Sequence, residues 1–327
     1  MVFVGNAFRK AIFFGEHYVV HGSGALVAPI APKTVVEIKK GGAIEGVEIN
    51  SELGNDFFSS KVAGKNASLA NMRAVYVEFL KTGKAVEIPL LARFGCEVSQ
   101  KGTGMSASFA ASFLLALCAA HGKRLSKDAL FGIVQKGEEV AHGAAASGID
   151  ARVAIEGKPL LFRKRFSPVS YEFKVAKVAL PSGARMLVCD TFAGVRSGTR
   201  RLVEEFAKSH GLEGEASASQ RERIASEFEP ILKKALENLN ARGSIVELGS
   251  CMNANHGLLA AHGVSSVGIE KCREIAFAHG AFGAKLTGAG GEGGAVLVLC
   301  EEKAAARIIE GMKDAGFKAG EIRIAGK

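Results

Sequence analysis

Lys101 to Ser108 reads KGTGMSAS, two glycines and two serines between a strand-like run at 94–98 and a run of small apolar residues at 106–121. A helix N-terminus carries unpaired N–H groups and the positive end of its dipole. Glycines let such a backbone approach a ligand, and hydroxyls add contacts, so the stretch suits a phosphate. A tight turn entering a buried helix has the same composition, and on this loop alone both readings stand. Gly102-Thr103-Gly104-Met105-Ser106-Ala107 also fits the dinucleotide pattern G-x-G-x-x-A. That pattern requires an acidic residue about 20 positions on, where Lys123 and Arg124 stand instead. No G-x-x-x-x-G-K-[ST] occurs in the chain.

A second glycine run, Gly288-Ala289-Gly290-Gly291-Glu292-Gly293, satisfies G-x-G-x-x-G. It leads into a strand rather than a helix, so the dinucleotide reading lacks its helix N-terminus and a turn between strands is left. Further polar residues with chemical potential are Lys10, Glu16, His17, Glu139, Asp150 and Thr199. Taken singly, each has a bland reading: Asp150 as a cap, and Glu138 and Glu139 as solvated helix charges.

Short strands at about 1–6, 10–14, 33–39 and 86–98 must position these residues, with helices at 66–82, 106–121 and 127–142, the last capped by Ser126. Residues 152–162 and 169–180 read as strands, and 185–191 as another. Helices follow at 199–210, from Ser219, and at 230–239, 244–261, 266–279 and 301–315, with strands at 283–287, 295–300 and 321–325. The chain of 327 residues exceeds one core of common size and reads as α+β in two domains, 1–175 and 176–327.

Hydrophobic residues at 48% and charged residues at 23% describe a globular protein, with a net charge of +9. The basic residues lie in scattered pairs and there is no Trp, which argues against nucleic acid and for small anionic ligands. The six cysteines form no C-x-x-C pair and read as small core residues. No apolar run reaches the length of a membrane span, and MVFVGNAFRKAIFF, broken by Arg9 and Lys10, reads as a first strand. No membrane association and a cytoplasmic location are expected.

Four stretches in order decide between the readings: FFGEHYVVHG (13–22), the loop at 102–108, EVAHGAAASGIDARVA (139–154) and KLTGAGG (285–291). Together they resemble the signature motifs of the GHMP kinase superfamily, and within it the mevalonate kinases are most similar. MNANHGLLAAHGVS (252–265) is similar to that group's N-x-N-x-G-L-L-x-x-L-G-V-S, and residues 139–150 to its E-x-x-x-H-G-x-P-S-G-x-D. The resemblance spans residues 1 to about 300.

It implies a two-lobed GHMP kinase fold, with an N-terminal lobe like ribosomal protein S5 domain 2 and a ferredoxin-like α+β C-terminal lobe. It also implies phosphoryl transfer from MgATP to the C5 hydroxyl of mevalonate. With the pattern G-L-G-S-S-A-A laid from Gly104, Ser108 takes the place of the serine that helps hold Mg²⁺. Glu139, eleven residues before Asp150, takes that of the acidic ligand. Asp150 matches the catalytic aspartate and Lys10 the lysine beside it. Lys101, Gly102, Thr103, Gly104, Met105, Ser106, Ala107 and Ser108 would hold ATP. Glu16, His17, Thr199, Gly288, Ala289 and Gly290 would line the substrate site. ATP and mevalonate are the implied partners, and a homodimer is compatible with the resemblance. The first motif reads AFRK where relatives have A-P-G-K, and Glu292 replaces a glycine of the third. A sister kinase acting on phosphomevalonate, or at the 3-hydroxyl, is the alternative, with Arg9, Arg196 and Arg200 as its candidate cations. A non-catalytic ligand-binding protein on this scaffold is a further one.

Overall fold

A computed structural model describes residues 1–51, 54–83, 85–95, 102–142, 146–166, 168–192, 198–212 and 217–325, with backbone alone at 199 and 200. It divides into two compact units. The first comprises Met1–Lys10, Ala31–Ser99 and Gly104–Gly157, and the second Ala11–Ile30, Gln100–Thr103 and Lys158–Lys327. The boundary falls inside the first two strands, β1 (Val2–Phe14) and β2 (Gly24–Lys40).

In the first unit the outer half of β2 pairs antiparallel with β5 (Pro89–Gly95), Val35 opposite Gly95. Next comes β3 (Gly46–Asn50), parallel to β5, and then the short β4 (Asp56–Phe58). Four helices complete the unit: α1 (Ala70–Leu80), α2 (Met105–Ala120), α3 (Lys127–His142) and α4 (Ile149–Glu156). Helix α2 is buried on nearly every side because its residues are small or apolar all round, and it packs against α1, α3 and α4. Phe109, Phe113, Leu114 and Leu117 join Val36, Ile38, Phe58 and Phe79 in this unit's own core. Ser126 caps α3 by accepting from the Ala129 N–H at 3.2 Å.

Residues 152–156, expected as strand, continue α4 from Gly148 (φ 89), so the strand β6 (Leu160–Arg165) begins only after the helix is ended by Gly157. The expected 86–98 strand is described over 89–95, and the loop residue Lys101 lies outside the described residues.

In the second unit β6 pairs with the start of β2, Gly24 opposite Arg163, and with β7 (Ser170–Val175). An antiparallel set runs β11 (Lys318–Ile324), β8 (Ala184–Asp190), β10 (Ala295–Glu301), β9 (Ala281–Thr287). Its helices are α5 (Thr199–Ser209), α6 (Ala218–Ala241), α7 (Ile245–Ala261), α8 (Val267–Ala278) and α9 (Glu302–Asp314). The two helices expected from Ser219 and over 230–239 are one: α6 passes through Pro230, and Ile224, Phe228, Leu232, Ala235 and Leu239 keep one buried stripe across it. That stripe outweighs the single N–H the proline lacks. The described cysteines, 118, 189, 251, 272 and 300, are all buried and free. Among the described residues no helix is long and apolar enough to cross a membrane.

Candidate active site

The first unit gathers one constellation at the N-terminus of α2. Gly104 is its N-cap residue, with φ 66. A Cβ there would lie 2.7 Å from Cγ of Lys10, so only glycine lets the turn lie on the lysine stem. Lys10, buried at the middle of β1, reaches Asp150 with its ammonium at 3.2 Å. Asp150 stands in the first turn of α4, where the helix dipole favours a negative charge. One residue into the α2 turn, the Ser106 hydroxyl donates to Glu138 Oε1 at 2.7 Å and accepts from Asn71 Nδ2 at 2.9 Å. Burial, and then the charge of Asp150, push the Glu138 carboxyl up to about 7 against the opposing pull of Ser106 and Lys10. His142 lies one turn on, its Nε2 3.6 Å from Glu138, and burial lowers its pKa.

Two expectations change here. Glu139 is half-exposed and pairs with Lys136 at 2.8 Å, while its neighbour Glu138 faces Ser106 and the Lys10–Asp150 pair. Consecutive helical residues point about 100° apart, so only one of the two can face inward. The signal was present: E-x-x-x-H, counted back from His142, lands on Glu138, and the segment between His142 and Asp150 is one residue longer than the pattern. Ser108, in turn, donates to the Met105 carbonyl at 3.1 Å and is fully buried within α2. Laid from Gly102 instead of Gly104, the pattern G-L-G-S-S-A-A brings its second serine onto Ser106. Asn71 carried no motif by which it could have been found.

The second unit holds the other residues singled out. Thr103 is buried, and Gly102 packs against Ala295 and Thr287. The turn Gly288–Gly291 follows β9, and a Cβ on Gly290 (φ 72) would lie 2.2 Å from the Val264 carbonyl oxygen. His17 donates from Nε2 to the Ala289 carbonyl at 2.9 Å, since a carbonyl only accepts. Its Nδ1 is therefore a lone pair, buried and without a hydrogen-bond partner. Burial lowers the ring's pKa to about 4, so the imidazole is neutral at neutral pH. His17 also adopts φ 59, ψ −50, a costly backbone for a residue other than glycine and a frequent mark of functional positions. Glu16 forms a fully buried ion pair with Lys285 at 2.5 Å, and Lys285 also donates to the Leu286 carbonyl at 2.7 Å. Lys285 was marked as the one charged residue of the mostly apolar β9. Thr199 opens α5, and its side chain lies outside the description. Glu292 is exposed.

Sequence models of the GHMP kinases N terminal domain and of the GHMP kinases C terminal match residues 77–158 and 232–318. The chain belongs to the GHMP kinase family. Within it, the chain is 33% identical over 322 residues to the mevalonate kinase of Aeropyrum pernix, covering 97% of this chain and 94% of that one. It is 30% identical over 321 residues to the mevalonate kinase of Thermococcus onnurineus, covering 92% and 90%. The crystal structure of L. major mevalonate kinase in complex with R-mevalonate superposes with a TM-score of 0.77 at 26% identity, covering 98% of this chain and 95% of that one.

Proposed function

We propose that this protein is an ATP-dependent mevalonate kinase that phosphorylates the C5 hydroxyl of mevalonate. The observation that carries the reading is the ion pair Lys10–Asp150 beside the hydroxyl–carboxylate pair Ser106–Glu138, all at the N-terminal end of α2. Phosphoryl transfer asks for positioning, neutralisation of phosphate charge and a group to take the hydroxyl proton. Asp150 accepts or orients that proton, and Lys10 keeps a positive charge next to the reacting group. The N–H groups of the first turn of α2, with the Gly104 backbone at its cap, bind phosphate oxygens. His17, Thr199 and the Gly288–Gly290 turn bind mevalonate, while Glu16, expected there too, is fully buried in its ion pair with Lys285. The neutral His17, with its lone pair at Nδ1, accepts a hydrogen bond from a substrate hydroxyl.

Ser106 and Glu138 fit Mg²⁺. Both are hard oxygen donors, and a buried carboxyl raised by a second carboxylate is a place where a cation relieves repulsion. When bound there, Mg²⁺ would neutralise charge on the transferred phosphate. The phosphomevalonate alternative would use Arg9, but that side chain is buried and donates to the Pro32 carbonyl at 3.2 Å. The division into lobes at 1–175 and 176–327 belongs to the same reading, and one family match falls on each side of it. So does a cytoplasmic role in isoprenoid precursor synthesis.

The test is a substrate panel of mevalonate, its 5-phosphate, galactose and homoserine with MgATP, the phosphorylated position being read by NMR. Turnover of mevalonate to its 5-phosphate is expected. No turnover of mevalonate overturns the proposal, and phosphate on another hydroxyl moves the protein to a sister activity.

A further inference from the structure

Three side chains outside the site just described converge in the second unit: His210, Glu227 and His262. Their donor atoms lie within 4.8 Å of one another. Nε2 of His210 is 3.2 Å from Nε2 of His262, which is 3.4 Å from Oε2 of Glu227. Two ligands of a tetrahedral zinc ion, each about 2.0–2.1 Å from the metal, stand roughly 3.3 Å apart. We propose that His210, Glu227 and His262 form a binding site for a borderline divalent transition metal, Zn²⁺ foremost, distinct from the Mg²⁺ of the reaction.

Four observations support the assignment. His210 donates from Nδ1 to the Phe206 carbonyl at 2.8 Å, which leaves Nε2 as a lone pair turned toward His262. Such an outer hydrogen bond fixes the tautomer of metal-bound histidines. His210 and His262 are the C-cap residues of α5 and α7, so two helix dipoles present their negative ends to a cation. Glu227, on α6, is exposed, which opens an entry path, while His210 is buried. Finally, His262 stands where the related pattern N-x-N-x-G-L-L-x-x-L-G-V-S has leucine, so an apolar position at the end of α7 has become a ligand in this chain. The nearby Arg223 donates to the His210 carbonyl and takes no part in the donor set.

Two imidazoles and one carboxylate leave a fourth position for water, the composition of an open zinc site. Imidazole suits zinc, nickel or copper rather than Mg²⁺. On binding, the metal takes the place of the hydrogen between the two Nε2 atoms, and His262 ligates as its other neutral tautomer, the hydrogen moving from Nε2 to Nδ1 by exchange with solvent. The ion would then tie the ends of α5 and α7 to the middle of α6, whether or not the proposed reaction is correct.

The test uses the full-length protein stripped with a chelator and titrated with ZnCl₂ by calorimetry in excess MgCl₂. One Zn²⁺ per chain is expected, with the melting temperature raised on the order of 5 °C at a hundredfold excess over Kd. Glu227→Gln, a surface change, should weaken binding by roughly 10-fold or more, as should His262→Gln, while His279→Gln leaves it unchanged. Co²⁺ bound to the parent should show the strong visible bands of four or five ligands. Absence of saturable Zn²⁺ binding, a pale octahedral Co²⁺ spectrum, or binding indifferent to Glu227→Gln overturns the proposal. Should His262→Gln not fold, Glu227→Gln and the Co²⁺ spectrum decide it.

Discussion

Ser106 and Ser108 stand two residues apart in the same turn, and the structure gives them different partners. Ser106→Ala removes the 2.7 Å bond to Glu138 and the acceptor of Asn71, whereas Ser108→Ala removes only a 3.1 Å bond to the Met105 carbonyl inside α2. A hydrogen bond to a charged group contributes about 1.5–3 kcal/mol. The Ser106 bond and Lys10 pull the Glu138 carboxyl down against burial and Asp150, and the balance stands at about 7. Its loss favours the protonated form near neutral pH and so weakens the proposed cation site. Converted at 1.36 kcal/mol per decade, the loss predicts about a 10- to 100-fold rise in the Mg²⁺ requirement and a similar fall in kcat/KM. Removing the hydroxyl as the proposed Mg²⁺ ligand adds to that. Ser108→Ala should stay within about twofold of the parent, because alanine is the better helix former and no charged group loses a partner. A coupled ADP-release assay across free Mg²⁺ measures both variants, with far-UV circular dichroism to confirm folding. If Ser108→Ala loses as much activity as Ser106→Ala, the assignment of the hydroxyl to Ser106 is wrong.

Asp150→Asn should lower kcat by at least about 100-fold while ATP affinity changes little, and equal turnover would exclude Asp150 as the proton acceptor. Lys285→Met leaves Glu16 buried without its cation and should cost about 3–5 kcal/mol. The double variant Glu16→Gln with Lys285→Met should recover much of that loss, with urea midpoints followed by circular dichroism because the chain has no Trp. His17, His21 and His256 are each lowered by burial to about 4, so between pH 6.5 and 4 the unfolded chain binds more protons than the folded one. Stability from these groups is present above pH 6.5 and lost as pH falls toward 4, at up to about 1.4 kcal/mol per unit for each. Glu138, raised to about 7, works in the opposite sense without metal, so the net fall should steepen below pH 6. An unchanged urea midpoint from pH 7 to 5 would refute the assignment of three neutral buried histidines.

Much of the scaffold was legible because local composition settles it. The small and apolar run of α2, the capped α3 and the strand–glycine–strand passage around 288–294 each announce one conformation. Where two local signals competed, the sequence misled. Pro230 divided a helix that its buried stripe holds together, and RVAIE (152–156) looked like strand although Gly148 and Gly157 bound it as a helix. The strands β3 (GVEIN) and β4 (DFF) went unread, β4 being only three residues long.

The sequence by itself determined the chemical inventory: a glycine–serine loop entering a buried helix, an aspartate in an SGID turn, a lysine near the N-terminus, and GEH followed far along the chain by KLTGAGG. Their order along the chain was enough for the family. Only the tertiary structure decided which of two adjacent glutamates and which of two neighbouring serines meet. It also decided that Glu16 spends its charge on Lys285, 269 positions away, and that His210, Glu227 and His262 share a corner. The physical reason is that side-chain direction depends on helix phase to within a single residue. Pairing across the fold, in turn, depends on which faces pack together, and neither is encoded at any one position of the chain.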